Sequence, residues 1–313
     1  MKNTYKYIDL SNVFIGIYII LFSIINQANI KLENNSDFNF LLFLPIALCG
    51  FINSGYRFII YLLLILPILF YDFYLFTVLF FLVTIYSIKN IKINNNFLVK
   101  IIYFSLFLSI LVDIIFNDSS FIYNDHWGRY RLLLGYFHPK EIGQLFVLLI
   151  LFQPFANKKN ILYLIFSYFI DSRNSFLSGI FLLLGRSRKL YLYIAFIFLI
   201  ILFLIFYNLY RDFLNILLSF RLDYWSSSHE NTRKFIFEWP SYFDNSYLTI
   251  YWYNKSIFLI FILFLFLNKK VNFIYLIPML SYVFFDDGLF SFGAPLPMFL
   301  LLFSLNCRLT HKL

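Results

Sequence analysis

The chain has 313 residues, of which 61% are hydrophobic, 24% aromatic and only 13% charged, and its mean hydropathy is +0.78. Soluble globular domains carry about 25% charged residues, so this composition excludes a water-surrounded globule and points to an integral membrane protein. The net charge of +9 arises from 25 Lys and Arg against 16 Asp and Glu, and the basic residues sit in short clusters between apolar runs instead of along one stripe, which argues against a nucleic-acid partner.

Apolar runs fall at residues 10–26, 38–52, 58–71, 73–88, 97–116, 140–156, 160–171, 174–185, 190–207, 250–267, 271–285 and 288–305. At roughly 20 residues per span, they predict an all-α, polytopic membrane protein of about 12 transmembrane helices (10–12). Residues 1–313 then form a single membrane domain with no room for a soluble catalytic one. The first run continues into Asn26 and Gln27 without a small-residue cleavage pattern, and reads as a retained helix and not as a signal peptide. The stretch from Ile161 to Leu184 is apolar except at Asp171-Ser172-Arg173-Asn174. Two short helices meeting at that turn are expected there.

With the N-terminus placed in the cytoplasm, Lys2, Lys6, Arg57, Lys89, Lys92, Lys100, Lys158, Lys159, Arg186, Arg188, Lys189, Lys269, Lys270, Arg308 and Lys312 fall inside, facing only Asp9. The other acids and the remaining cations fall outside or near outer helix ends, the asymmetry of the positive-inside rule. An even number of spans and two cytoplasmic termini in the cytoplasmic membrane follow. Two outer loops are long, residues 117–139 and 208–249. Connections of that length are usually functional when ordered.

Topology accounts for the inner cations, so the informative ones are Arg129, Arg131, Lys140, Arg173, Arg221, Arg233 and Lys234. For any one of them, pairing with Asp125, Glu141, Asp171, Asp223 or Glu230 is the plain alternative. As a group they favour an anionic ligand, because guanidinium binds phosphate through two parallel hydrogen bonds. A charge sunk toward mid-bilayer costs about 2.5–3.5 kcal/mol on insertion scales, so Arg173 is expected to face a polar cavity. The segment His138-Pro139-Lys140-Glu141-Ile142-Gly143 reads as a helix start, since proline suits the first turn and pushes the preceding residue out of the helical region. Free N–H groups at such an end attract phosphate, which leaves His138 either beside an anion site or as an ordinary capping residue.

Other chemistry finds little support. Cys49 and Cys307 can form no disulfide framework and have no partner at zinc spacing. Neither a metal site nor a cofactor is expected. The chain lacks the phosphate-binding glycine loops, the His-Glu-x-x-His helix and the Gly-x-Ser-x-Gly elbow. His126, His229 and Asp286-Asp287-Gly288 read as exposed loop and turn residues.

Four segments resemble the O-antigen and capsular repeat-unit polymerases (Wzy-type), which share a superfamily with the O-antigen ligases. Arg131-Leu132-Leu133-Leu134-Gly135-Tyr136-Phe137-His138-Pro139 is similar to that family's Arg…Leu-Gly-Phe-x-His-Pro-Asn, and Asp171-Ser172-Arg173-Asn174-Ser175 to its Ser-Arg turn. Arg221-Leu222-Asp223-Tyr224-Trp225 resembles its Arg-x-x-x-Trp element, and Asp244-Asn245-Ser246-Tyr247-Leu248 its Asp-Asn or His-Asn motif. The order holds over residues 129–267. Lys140 replaces the usual asparagine after His-Pro, and Asp244 stands where the ligases carry histidine, which favours polymerase over ligase.

The resemblance implies a GT-C-like membrane fold and glycosyl transfer on the outer face, with no metal or sugar nucleotide. The donor would be a glycan on polyprenyl pyrophosphate and the acceptor a hydroxyl of a second lipid-linked repeat unit, with a chain-length regulator as a further partner. Charge growing on the leaving pyrophosphate needs preplaced cations. Arg173 and Arg221 are expected to supply them, with Arg129, Arg131, Lys140 and Arg233 around the substrate. Asp244, or else His138, would take the proton. Tyr224, Trp225, Asn245 and Tyr247 would meet the sugars, although interfacial aromatic belts are common. An O-antigen-type ligase and a lipid-linked oligosaccharide flippase or carrier are the alternatives; concentration of polar residues in two outer loops speaks against a carrier.

Overall fold

The computed structural model describes residues 2–26, 39–71, 73–116, 122–124, 130–132, 139–154, 156–170, 172–187, 255–268, 271–283 and 294–305, with the isolated positions 134, 136, 194 and 198. Among these residues the fold is a helical bundle. Its helices are α1 (Lys2–Ile25), α2 (Asn39–Ser54), α3 (Tyr56–Ile65), α4 (Phe73–Ile88), α5 (Asn95–Phe116), α6 (Pro139–Phe152), α7 (Lys159–Phe169), α8 (Arg173–Arg186), α9 (Lys255–Leu267), α10 (Phe273–Val283) and α11 (Pro295–Leu305). The all-α expectation therefore holds. Eleven of the apolar runs form helices close to where the hydropathy pattern puts them; the run at 190–207 lies almost wholly outside the described residues. One strand pair interrupts the pattern. Within the first long loop, β1 (Ile122–Asn124) pairs antiparallel with β2 (Tyr130–Leu132), Tyr123 standing opposite Arg131.

The expectation of about 12 full spans is not met by helix length. Among the described residues only Asn95–Val112 is long and apolar enough to cross a membrane, and the other apolar helices have 10–17 residues. At 1.5 Å per residue, the 14 residues of α6 give about 21 Å against a hydrocarbon core of about 30 Å. Proline and glycine account for several of the interruptions. Gly55 turns the chain between α2 and α3 at φ 56°, a left-handed conformation that glycine adopts without steric cost. Pro67 tightens the continuation of α3 into a 3₁₀ segment, Leu66–Phe70.

Polar contacts between residues distant in sequence tie helix ends together at the two ends of the bundle. At one end, Asn12 Nδ2 donates to the Lys92 carbonyl (3.0 Å), Asn53 to Ser11 Oγ (2.9 Å), Ser54 to the Ser87 carbonyl (3.1 Å) and Lys89 to Asn268 (2.9 Å). Lys89 also lies over the Tyr86 ring, 3.6 Å from its centre. This basic end contains Lys92, Lys100, Lys158, Lys159 and Arg186 as well. At the opposite end, Ser23 meets Tyr136 and Ser109 meets the Leu134 carbonyl. That loop end holds the first residues of α6, α8 and α11.

Burial is uneven between helices. α11 is buried along its whole length, and α6 from Glu141 to Phe152. By contrast α3, α5, α7 and α9 expose large apolar side chains, among them Leu63, Leu64, Phe107, Ile115, Ile161, Phe169, Phe266 and Leu267.

Arg186 has a packing role that its place among the inner cations did not reveal. It is buried, its guanidinium donates to the Ile150 carbonyl in the last turn of α6 (2.7 Å), and it lies near Tyr275 of α10. A cation there meets the negative ends of both α6 and α8. Arg186→Met is expected to destabilise the bundle by about 1.5–3 kcal/mol, the range for a charge-assisted hydrogen bond. The same change at exposed Lys159 should stay within about 0.5 kcal/mol. Denaturant unfolding of the two variants in detergent compares them.

Candidate active site

The loop end is assembled from three segments that are distant in sequence. Immediately before α6, Leu134 adopts φ 47°, a strained conformation for a non-glycine side chain. Its carbonyl accepts from Ser109 Oγ of α5 (3.1 Å). Two residues later the fully buried Tyr136 hydroxyl pairs with Ser23 Oγ of α1 (2.8 Å). Burial pushes the Tyr136 phenol well above its ordinary pKa, so it stays neutral. Together these two anchors fix the stem of the first long loop onto the bundle. Tyr136→Phe removes one of them at nearly constant volume and should cost about 1 kcal/mol, while Ser23→Ala combined with it should cost little more; a double-mutant cycle by denaturant unfolding gives the coupling.

α6 then begins at Pro139, as the sequence predicts, with Glu141 in its first turn. A carboxylate at that position complements the positive helix end. Lys140 is half-buried, whereas Glu141 is only 7% exposed and Gln144 wholly buried. Gly143 lies between them and meets the start of α8. A Cβ added at Gly143 would lie 2.4 Å from Ser172 Oγ, 2.5 Å from Ser172 Cβ and 2.9 Å from Ser175 Oγ. The two serine hydroxyls bond to each other at 2.9 Å. Ser172, Asn174, Ser175 and Ser178 are all buried, and Ser178 Oγ donates to the Pro278 carbonyl of α10 (2.9 Å).

α7 ends at Phe169 and α8 starts at Arg173, so the expected division into two short helices is what the backbone adopts. Ile170 and Ser172 in the connecting turn are buried. Non-helical backbone in such a place must find partners within the protein, and Ser172 N donates to the Ser167 carbonyl (3.3 Å) while Phe176 N donates to that of Ser172 (2.8 Å). The third segment is the start of α11. Its Pro295 and Pro297 carry no amide hydrogen, and the Leu296 N–H between them donates to Gln144 Oε1 (3.1 Å).

These contacts bring together the starts of α6, α8 and α11. Among the residues that the sequence singled out, Arg173 occupies the first position of α8, Lys140 the first turn of α6, and Arg131 the middle of β2. His138, Arg129, Arg221, Tyr224, Trp225, Arg233, Asp244, Asn245 and Tyr247 lie outside the described residues. Sequence reasoning missed Gly143, Gln144, Ser172 and Ser175 as a unit, and took Glu141 only as an ion-pair partner. Gly143 carried the available signal, because a glycine inside a helix costs about 1 kcal/mol against alanine and needs a packing reason. Among the described residues no group of His, Cys, Asp and Glu has the arrangement of a metal site.

No protein-family model, curated protein or solved structure matches the chain.

Proposed function

We propose that this chain is a GT-C-like, membrane-embedded glycosyltransferase that polymerises polyprenyl-pyrophosphate-linked repeat units on the outer face of the cytoplasmic membrane, in O-antigen or capsule synthesis. The observation that carries this reading is the contact between Gly143 and Ser172. Through it, the helix that follows His138-Pro139 and the turn that contains Ser172-Arg173, two of the four segments on which the resemblance rests, become one site. The basic residues collected at the opposite end and the apolar faces of α3, α5, α7 and α9 support a bilayer around the bundle. Its loop end then faces outward, and the polar turn before α8 is tolerated at membrane depth because it is buried in protein.

In this reading Arg173, joined by Arg221 from the second long loop, holds the pyrophosphate. The positive ends of α6 and α8 add to its attraction for the leaving group. The repeat units lie along the two loops, near Arg129, Arg131, Lys140, Arg233, Tyr224, Trp225, Asn245 and Tyr247. No cofactor is needed, since the pyrophosphate ester already stores the energy of transfer.

Deletion of the gene, followed by electrophoresis of the surface glycan, tests the proposal. Single repeat units on a normal anchor are expected. Loss of all attached glycan would instead identify a ligase, and accumulation of lipid-linked units in the cytoplasmic leaflet a flippase. A long-chain glycan ladder indistinguishable from that of the parent would remove the polymerase reading.

A further inference from the structure

The buried face of α6 carries a donor and an acceptor that the proposed reaction has not yet used. Glu141 and Gln144 are three residues apart, so their side chains lie on the same side of the helix, and both are buried. The amide of Gln144 can point only one way. Its Oε1 accepts from the Leu296 N–H, and turning the amide over would set two donors against each other. Nε2 is therefore committed to the other side, where it is buried without a hydrogen-bond partner among the described residues. An unsatisfied buried donor is costly, and in a site it marks the place of a ligand oxygen.

Resting on the reading above, we propose that Glu141 and Gln144 form the seat of the acceptor hydroxyl and that Glu141 is the catalytic base. A sugar hydroxyl both donates and accepts. It would donate to the Glu141 carboxylate and accept from Gln144 Nε2, which fixes its oxygen lone pair for attack. Gly143, between these two residues, touches Ser172, the residue before Arg173, so the acceptor seat and the pyrophosphate-holding turn share one seam. In the transfer, the hydroxyl oxygen bonds the anomeric carbon and the bond from that carbon to the pyrophosphate oxygen breaks. The electron pair leaves with polyprenyl pyrophosphate, and the proton passes to Glu141.

The test uses the full-length protein in liposomes with purified lipid-linked repeat units, at equal amounts of protein eluting as a single species. E141Q keeps the shape of the side chain and is expected to lower the polymerisation kcat at least about 100-fold, as for loss of a general base, with donor and acceptor KM little changed. Q144L keeps volume but removes the donor, and is expected to raise the acceptor KM about tenfold at unchanged donor KM. Wild-type kcat in E141Q overturns the base assignment. If E141Q does not fold, Q144L decides, and an unchanged acceptor KM in it overturns the seat. Either result would leave the polymerase reading intact, since the wild-type protein would still form polymer. Should wild-type protein convert no repeat units, the reading and this inference fall together.

Discussion

Substitution of Arg173 by alanine is expected to reduce the surface glycan to single repeat units while the protein stays in the membrane at wild-type level. Arg173 opens α8 directly after Ser172, and Ser172 is in contact with α6 at Gly143. In the proposed reaction, negative charge develops on a pyrophosphate that leaves this corner, and a positioned donor there acts on the transition state more than on the bound substrate. Removal of one such donor typically lowers kcat by about 10²–10³, enough to stop chain growth before a second unit is added. Lysine should restore only part of the loss, because a point charge replaces the two parallel hydrogen bonds of guanidinium. The measurement is the glycan ladder on a gel, normalised to protein detected in isolated membranes. A wild-type ladder in Arg173→Ala would remove Arg173 from the site. The substitution should hardly affect stability, since a cation in the first turn of a helix opposes the helix dipole.

Much of the architecture could be read from the chain. Apolar runs and their polar breaks located the described helices, and Asp171-Ser172-Arg173-Asn174 located the boundary between α7 and α8. The gathering of basic residues at one end of the bundle could be read for a physical reason. Lysine and arginine are costly in hydrocarbon, so Lys89, Lys92, Lys158 and Lys159 mark helix ends whatever the packing. Length was not readable, because an apolar run shows where a helix can exist and not where it stops. α6 stops at Phe152 although the apolar pattern continues to residue 156, with Gln153 turned into hydrogen bonds with Tyr163 and Asn157. Nor was partner choice. Gln144 looks like any polar residue in a helix, and only its place opposite the proline-flanked Leu296 N–H gives its amide a direction. Arg186 shows the same limit, since its charge fits the basic set while its buried guanidinium is held by the Ile150 carbonyl. Cations signal their location through solvation, but hydrogen-bond partners far apart in sequence leave no local trace.

The second large effect is expected at Gly143. In an open helix, Gly→Ala raises stability by about 1 kcal/mol through backbone entropy, so the sign of the change at this position is informative. A methyl group at Gly143 would sit 2.4 Å from Ser172 Oγ and 2.5 Å from Ser172 Cβ, far inside van der Waals contact. Ser172 cannot simply rotate away, because its Cβ is one of the two atoms struck, and its hydroxyl is bonded to Ser175. α8 would have to move off α6. Overpacking of this kind costs about 1–3 kcal/mol, and here it also displaces Arg173, so Gly143→Ala should lose both stability and glycan polymerisation. The double variant G143A/S172G discriminates between packing and propensity. Glycine at position 172 removes both atoms and is tolerated at a helix N-cap, leaving only the 2.9 Å approach of Ser175 Oγ. Thermal unfolding in detergent should therefore show a destabilised single variant and a double variant that recovers most of the loss, a coupling of opposite sign to its parts. Recovery of polymerisation in the same double variant would tie the spacing of α6 and α8, and not the serine itself, to the transfer step. A Gly143→Ala protein as stable and as active as wild type would mean that the two helix starts do not meet at this seam.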